Sequence, residues 1–216
     1  MQRVRSRRDD RCAGRQQLSS HPYFAPLAYR IHMARRHVVL LGMMGAGKTT
    51  VGDLLAERLD RPHRDSDRDI ESLTGRTGRQ IAADEGVDEL HRLEEEGLLN
   101  ALESNEPCIV SAAGWTIESP RCRDAIQDTA TAVWLRLSPE DLRTRMDQGS
   151  HRRDLPNDEL KNMLARREPL LADLADIVID ASKTPAEIVD ELVPAIAEAA
   201  EHDRIENGYR YDSRGG

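Results

Sequence analysis

Residues 42–49, Gly-Met-Met-Gly-Ala-Gly-Lys-Thr, have the composition and spacing of a phosphate-binding loop. Gly42, Gly47, Lys48 and Thr49 match the spacing G-x-x-x-x-G-K-[ST], and a short apolar run precedes them. Glycines let the backbone turn so that its N–H groups face an anion, and the following helix adds the positive end of its dipole. The lysine can reach the outer phosphates and the threonine hydroxyl can bind magnesium. The segment predicts a nucleoside triphosphate site; a glycine-rich turn without a ligand is the alternative.

Two carboxylates follow in Asp65-Ser66-Asp67, at the end of a weak strand pattern. Asp65 can orient magnesium through water, and Asp67 can accept a proton from an attacking hydroxyl. The same triplet is also common as a helix cap. Next to a phosphate loop we favour the catalytic interpretation.

A turn with basic residues on both sides occurs near residues 149–151. Arg143 and Arg145 precede the turn, and Arg152 and Arg153 follow it. A mobile segment carrying arginines can neutralise the charge that develops during phosphoryl transfer. A solvated basic loop is the alternative.

The apolar pattern alternates between short strands and amphipathic helices from residue 37 onward. It predicts strands at 37–42, 63–66, 108–111, 131–135 and 176–179, and helices at 48–60, 67–73, 78–85, 87–104, 119–128, 139–147, 157–174 and 185–201. Strands that alternate with helices predict an α/β fold with a parallel sheet covered on both faces.

Composition limits the partners of the chain. The net charge is −8, and residues 1–36 hold nine arginines against two aspartates, so the rest is strongly acidic. We therefore expect no nucleic-acid partner, and without an 18-residue apolar run we expect no membrane partner. Residues 1–36 are predicted to be a disordered basic extension, 37–201 the P-loop domain and 202–216 a polar tail.

Cys12, Cys108 and Cys122 have no metal-ligand spacing. An odd set of this kind is typical of reduced thiols, and we expect a cytoplasmic protein.

Beyond these patterns, residues 37–195 resemble the shikimate kinases, within the small P-loop kinases of the nucleoside monophosphate kinase type. The resemblance rests on the segments GMMGAGKTTVGDLLAERL, DSDRDIESLTGR, ELHRLEEEGL, SAAGWTIESP and ARREPLLADLADIVID. It implies a five-stranded parallel sheet flanked by helices, a P-loop NTPase fold, a requirement for ATP and Mg²⁺, and an arginine-bearing lid. We also expect a monomer.

The resemblance implies a role for each matching position. The implied nucleotide-binding residues are Gly42, Met44, Gly45, Ala46, Gly47, Lys48, Thr49, Thr50 and Arg145. Magnesium would be held through Thr49 and Asp65, and the catalytic residues would be Lys48, Asp67 and Arg152. The implied substrate-binding residues are Asp67, His91, Gly114, Trp115 and Arg167.

Several positions on the acceptor side and in the lid depart from the family pattern, and Leu90 and Ala113 are among them. His91 stands where the family has one of its two carboxylate-binding arginines, and Trp115 stands where it has the last of three glycines. Arg153 replaces the proline after the lid arginine. A histidine has no guanidinium and cannot form the two parallel hydrogen bonds that an arginine forms with a carboxylate. Arg92 lies about 100° further around the helix, so it cannot take the place of the missing arginine.

The sequence therefore predicts an ATP- and Mg²⁺-dependent kinase that phosphorylates a hydroxyl of a small metabolite: shikimate or a related cyclitol, sugar acid or polyol. The alternative is a nucleotide-binding accessory or regulatory protein that has lost acceptor chemistry. A hydrolase or nucleic-acid-linked ATPase is disfavoured, because no apolar strand that ends in an acidic Walker B residue is evident and because the domain is acidic.

Overall fold

A computed structural model describes residues 3–4, 36–148 and 157–212 of the chain. Within these ranges the strands are β1 (Arg3–Val4), β2 (His37–Leu41), β3 (His63–Asp65), β4 (Ile109–Ser111), β5 (Ala130–Arg136) and β6 (Ile177–Asp180). They form one sheet in the order β1-β6-β5-β2-β4-β3. The last five strands are parallel, which confirms the predicted sheet.

One strand lies where the sequence predicted a disordered extension. Arg3 and Val4 pair antiparallel with Val178 and Ile177 of β6. The physical reason is that the outer side of β6 is a sheet edge, where unpaired N–H and C=O groups can form hydrogen bonds with an extended segment. The remainder of that predicted extension, apart from Arg36, lies outside the described residues.

The helices surround this sheet. They are α1 (Lys48–Leu59), α2 (Ser66–Thr74), α3 (Gly78–Asp84), α4 (Val87–Leu102), α5 (Pro120–Thr129), α6 (Pro139–Gln148), α7 (Asn157–Leu174) and α8 (Pro185–Asp212), with a 3-10 turn at Thr116–Glu118. Helix α8 continues past its predicted end at residue 201, because extending a helix adds one hydrogen bond for each residue fixed. Among the helices of the described ranges, none is long and apolar enough to cross a bilayer.

Alternation along β2 builds a core on each face of the sheet. Val38 and Leu40 pack with Leu55 of α1 and Leu192 of α8. Val39 and Leu41 face the opposite way, into a cluster with α4, α5 and α7 that contains Leu98, Ile126 and Leu171. Strands buried on both faces read as continuous apolar runs, which explains the segment His37–Leu41.

The topology places a crevice at the carboxyl end of β2. The connection that leaves β2 runs toward β3 on one side, and the connection that leaves its neighbour β5 runs toward β6 on the other side, so the two diverge between these strands. Open α/β sheets bind ligands at such a switch point. The predicted phosphate loop starts there, at Gly42.

Candidate active site

The phosphate loop is a tight turn between β2 and α1. Its glycines have positive φ values of 145° at Gly42, 82° at Gly45 and 92° at Gly47. A Cβ atom on Gly42 would lie 2.8 Å from the carbonyl oxygen of Leu135 in β5. Both the backbone conformation and this contact require glycine at the start of the loop. Packing against the sheet therefore fixes the shape of the loop.

The ammonium group of Lys48 lies inside this turn. Its Nζ donates hydrogen bonds to the carbonyl oxygens of Gly42 at 3.0 Å and Met43 at 3.2 Å. Burial lowers the pKa of Lys48, and the negative charges of Asp67 and Asp65 act against that shift. The amine is thus a desolvated cation beside neutral carbonyls. Phosphate oxygens that entered the loop would give it a charged partner.

Thr49 and Asp65 provide a pair of hard oxygen ligands next to the lysine. The Thr49 hydroxyl donates to Oδ2 of Asp65 at 2.7 Å, and Asp65 is only 5% exposed. The other carboxylate oxygen, Oδ1, accepts from the backbone N–H of Arg68 at 3.3 Å and caps α2. Magnesium in nucleotide sites takes one or two protein side chains and completes its shell with phosphates and water. Thr49 and Asp65 fit such an ion. Asp65 can bind it while it caps α2, because the two functions use different carboxylate oxygens.

Asp67 lies in the first turn of α2 with an exposed side chain. Its charge acts on Lys48, as do the charges of Arg167 and Glu94. The structure therefore gathers side chains from α1, α2, α4 and α7 around one ammonium group. An exposed carboxylate at this position can accept a proton from a hydroxyl bound beside the loop. Sequence analysis missed Glu94, because it is the first of three consecutive glutamates and nothing in the sequence distinguishes it from the other two. In the structure its side chain is buried.

The arginine assigned to the nucleotide, Arg145, and the arginines of the predicted lid have different outcomes. Arg145 donates from Nη2 to the carbonyl oxygen of Ala181 at 2.8 Å. Its Nη1 would lie 3.7 Å from a Cβ atom on Gly47, so this side chain flanks the phosphate loop. Arg152 and Arg153 lie outside the described residues. The arginine-bearing lid therefore stays a prediction.

His91 of α4 and Trp115, which precedes the 3-10 turn, form one wall of stacked rings. Their rings stack with centroids 4.1 Å apart and planes 8° apart. The neighbouring Gly114 lies against the loop and Arg167: a Cβ atom there would be 3.8 Å from the Gly42 carbonyl oxygen and 3.4 Å from Nη1 of Arg167. Four of the substrate-side positions named from the sequence, His91, Gly114, Trp115 and Arg167, thus lie together, and their role in binding stays a prediction.

Arg167 is paired with a carboxylate that the sequence analysis did not single out. Its Nε donates to Oε1 of Glu118 at 2.6 Å, and Nε of Arg166 is 3.7 Å from Oε2 of the same residue. The side chains of Arg167 and Glu118 are 11% and 25% exposed. Glu118 ends the 3-10 turn that begins just after Trp115. The sequence around Glu118 did not indicate this contact, because its partner Arg167 is 49 positions away.

A hydrogen-bond network behind the loop was also missed. The Ser111 hydroxyl donates to the carbonyl oxygen of Lys48 at 3.1 Å, and Nε2 of His63 lies 2.8 Å from that hydroxyl. Nδ1 of His63 is 2.7 Å from Asp53, which accepts two bonds from Arg68 at 2.8 and 2.9 Å. Hydrogen bonds from Arg68, and then from His63, lower the pKa of Asp53 to about 2. The network ties β3, β4 and α2 to the first turn of α1.

Known proteins share both the sequence pattern and the fold. The family profile described as Shikimate kinase matches residues 44–197. A shikimate kinase of Symbiobacterium thermophilum is 36% identical over 172 residues, covering 76% of this chain and 98% of that protein. The shikimate kinase of Dechloromonas aromatica is 36% identical over 68% of this chain and 82% of its own length. A shikimate kinase from Acinetobacter baumannii, solved in complex with shikimate, superposes with a TM-score of 0.72 at 27% identity, covering 79% of this chain and 97% of that one.

Two helical glycines give a matched test of the network behind the loop. A Cβ atom on Gly52 in α1 would lie 2.3 Å from Nε2 of His63 and 2.8 Å from the Ser111 hydroxyl, whereas one on Gly97 in α4 meets nothing within 4 Å. We expect Gly52→Ala to lower the free energy of unfolding by about 1–3 kcal/mol, the usual range for overpacking. Gly97→Ala should raise it by up to about 1 kcal/mol through helix propensity. Urea unfolding measures both, and equal effects would contradict the contacts at Gly52.

Proposed function

This chain belongs to the shikimate kinase family and is an ATP-dependent phosphotransferase with a hydroxyl group as acceptor, and we propose that Lys48 and Asp67 carry the transfer. The acceptor is a small polyhydroxylated metabolite that binds between Asp67, the Trp115 wall and Arg167. The observation that supports this assignment is the position of Lys48. Its ammonium lies in the turn of the phosphate loop and is stabilised electrostatically by the carboxylate of Asp67, which is exposed.

The proposed reaction moves one phosphoryl group. The acceptor oxygen forms a bond to the γ-phosphorus while the bond from that phosphorus to the β–γ bridging oxygen breaks, and ADP leaves with the electron pair. The hydroxyl proton passes to the carboxylate of Asp67, which acts as the base. Lys48 stabilises the charge on the transferring group, and Arg152 would do so from the lid.

Different residues around the loop would bind different parts of the nucleotide. The backbone N–H groups of residues 42–50 would bind the phosphates, and Arg145 would lie at the adenine side. Magnesium, when bound, neutralises charge on the β- and γ-phosphate oxygens. Thr49 and Asp65 would hold it, directly or through water.

Shikimate is the first acceptor to test, because a structural neighbour was solved in complex with it. A related cyclitol, sugar acid or polyol is the wider class. We further infer a monomeric protein that works in the cytoplasm without nucleic acid or membrane.

A second candidate is a nucleotide-binding protein that no longer transfers phosphate. The altered substrate side, with His91 and Trp115 in place of the family's residues, is the observation that favours it. The lysine, threonine and two aspartates of the transfer machinery favour the enzyme.

Nucleotide binding tests the assignment of Lys48. A ligand that binds only the folded protein raises its melting temperature. MgATP should therefore raise the melting temperature of the wild type, and Lys48→Ala should remove most of that shift. Arg58→Ala is the matched control, because this cation pairs with Asp190 on the exposed surface. Equal shifts in wild type and Lys48→Ala would contradict the assignment.

Turnover tests the two aspartates separately. Asp67→Asn should lower kcat by about 10²-fold or more while the ATP-induced melting shift persists, because a positioned base is lost. Asp65→Asn should instead raise the magnesium concentration needed for half-maximal activity. The exposed Asp128→Asn in α5 controls for the loss of one surface charge. If both site variants behave like that control, the segment has only a structural role, with Asp65 as the N-cap of α2 and Asp67 in its first turn.

A further inference from the structure

A relay of polar side chains, Asp53, His63 and Ser111, runs from the protein surface to the first residue of α1. Asp53 lies 2.7 Å from Nδ1 of His63, and Nε2 of the same ring lies 2.8 Å from the Ser111 hydroxyl. That hydroxyl donates to the carbonyl oxygen of Lys48 at 3.1 Å. The side chain of His63 is 7% exposed and Ser111 is 2% exposed, so water competes little for these contacts.

The hydrogen bonds of this relay have a defined direction. Ser111 has a single hydroxyl proton, which it donates to the Lys48 carbonyl, so its oxygen accepts from Nε2 of His63. The carboxylate of Asp53 only accepts, and it receives a hydrogen bond from Nδ1. Arg68 holds that carboxylate with two further bonds. Each member of the relay therefore orients the next one, and the last group oriented is the carbonyl of Lys48.

Helix α1 contains a glycine where the relay approaches it. Gly52 lies inside this helix, where glycine is less favourable than any residue except proline. A Cβ atom there would lie 2.8 Å from the Ser111 hydroxyl oxygen and closer still to Nε2 of His63. Apolar side chains of the same shape could fill this space without loss of stability. The orientation that the polar atoms impose on α1 therefore accounts for them better than stability does.

Fixing the Lys48 carbonyl also fixes the peptide group that would face the nucleotide. In a trans peptide the C=O of Lys48 and the N–H of Thr49 point in opposite directions. The first N–H groups of a helix have no acceptor within the helix, so that of Thr49 can bind a phosphate oxygen. The hydroxyl of the same threonine donates to Asp65 at 2.7 Å. The orientation of one peptide thus affects the phosphate site and the magnesium site together.

We propose that His63 is a positioning residue for nucleotide binding, which acts through Ser111 on the peptide between Lys48 and Thr49. The inference rests on the proposed function, which assigns this peptide to the phosphates and magnesium of ATP. The relay restricts the first turn of α1 before ATP arrives, so binding costs less ordering. Its loss should weaken MgATP binding and leave acceptor binding unchanged, because the relay acts on the phosphate side of the site.

Two substitutions at His63 separate the functions of its two ring nitrogens. Asparagine can keep the contact with Asp53 but is too short to reach Ser111, whereas glutamine can place an amide N–H near the position of Nε2. Calorimetric titration gives the Kd of MgATP, and ADP formation with shikimate gives the KM of each substrate. His63→Asn should raise the Kd of MgATP about three- to tenfold, the loss expected for one hydrogen bond, with an unchanged KM for shikimate. His63→Gln should restore most of the affinity.

A double-mutant cycle tests whether His63 acts through Ser111. Ser111→Ala should raise the Kd of MgATP about as much as His63→Asn, and the double variant should show no further rise, because both changes break the same link. Thr129→Val is the control, because it removes a hydroxyl that donates to the Ala125 carbonyl at 2.7 Å at the end of α5. It should lower the melting temperature and leave the Kd of MgATP unchanged.

Asp53→Asn keeps the test decisive if the buried variants do not fold. This side chain is 46% exposed, so the substitution leaves the core intact. It weakens the acceptor for Nδ1 of His63, and it should raise the Kd of MgATP in the same direction as His63→Asn but by less. An unchanged Kd in Asp53→Asn would then count against the inference.

The results that would overturn the inference differ from those that would overturn the proposed function. Equal MgATP affinity in wild type, His63→Asn and Ser111→Ala, with phosphate still transferred, would leave the kinase assignment standing and remove the positioning role. Additive effects in the cycle, or no rescue by His63→Gln, would also remove it. Failure of the wild type to transfer phosphate from bound MgATP would contradict the proposed function, while the Kd values would still decide the role of His63.

Discussion

The desolvated ammonium group of Lys48 is the constraint on which the rest of the site depends. Burial opposes its charge, and the protein offsets this with two loop carbonyls at 3.0 and 3.2 Å and with carboxylates from β3, α2 and α4. Those groups meet because the phosphate loop and the start of α2 follow the carboxyl ends of the parallel strands β2 and β3, and because α4 packs against α2. The glycine-rich turn, the strand order and the network behind α1 all maintain that convergence. The site is therefore organised to receive a strongly anionic group.

The acceptor side is organised differently, because its charges are already balanced. Arg167 and Glu118 neutralise each other across the segment that follows β4, and His91 and Trp115 close the wall by stacking. Family membership and the nucleotide side specify phosphoryl transfer to a hydroxyl. Within that chemistry, we propose that the choice of acceptor depends on a few side chains around Arg167.

The sequence predicted the features that local patterns encode. The five parallel strands followed from apolar runs alternating with helices, and the phosphate loop followed from the spacing around Lys48. The family resemblance directed attention to His91, Gly114, Trp115 and Arg167, and the structure brings them together. The sequence could not reveal Glu118 as the partner of Arg167, nor the network from Arg68 to Ser111. Such contacts join residues tens of positions apart and depend on the packing of helices against the sheet.

The most direct test of the central claim is a ³¹P NMR spectrum of the protein incubated with MgATP and shikimate, and then with the related cyclitols, sugar acids and polyols. Transfer at a site organised around Lys48 and Asp67 predicts that the γ-phosphate signal is replaced by one phosphomonoester signal for each ADP formed. Release of inorganic phosphate without a phosphomonoester would contradict the account, because the site would then deliver phosphate to water rather than to a bound hydroxyl.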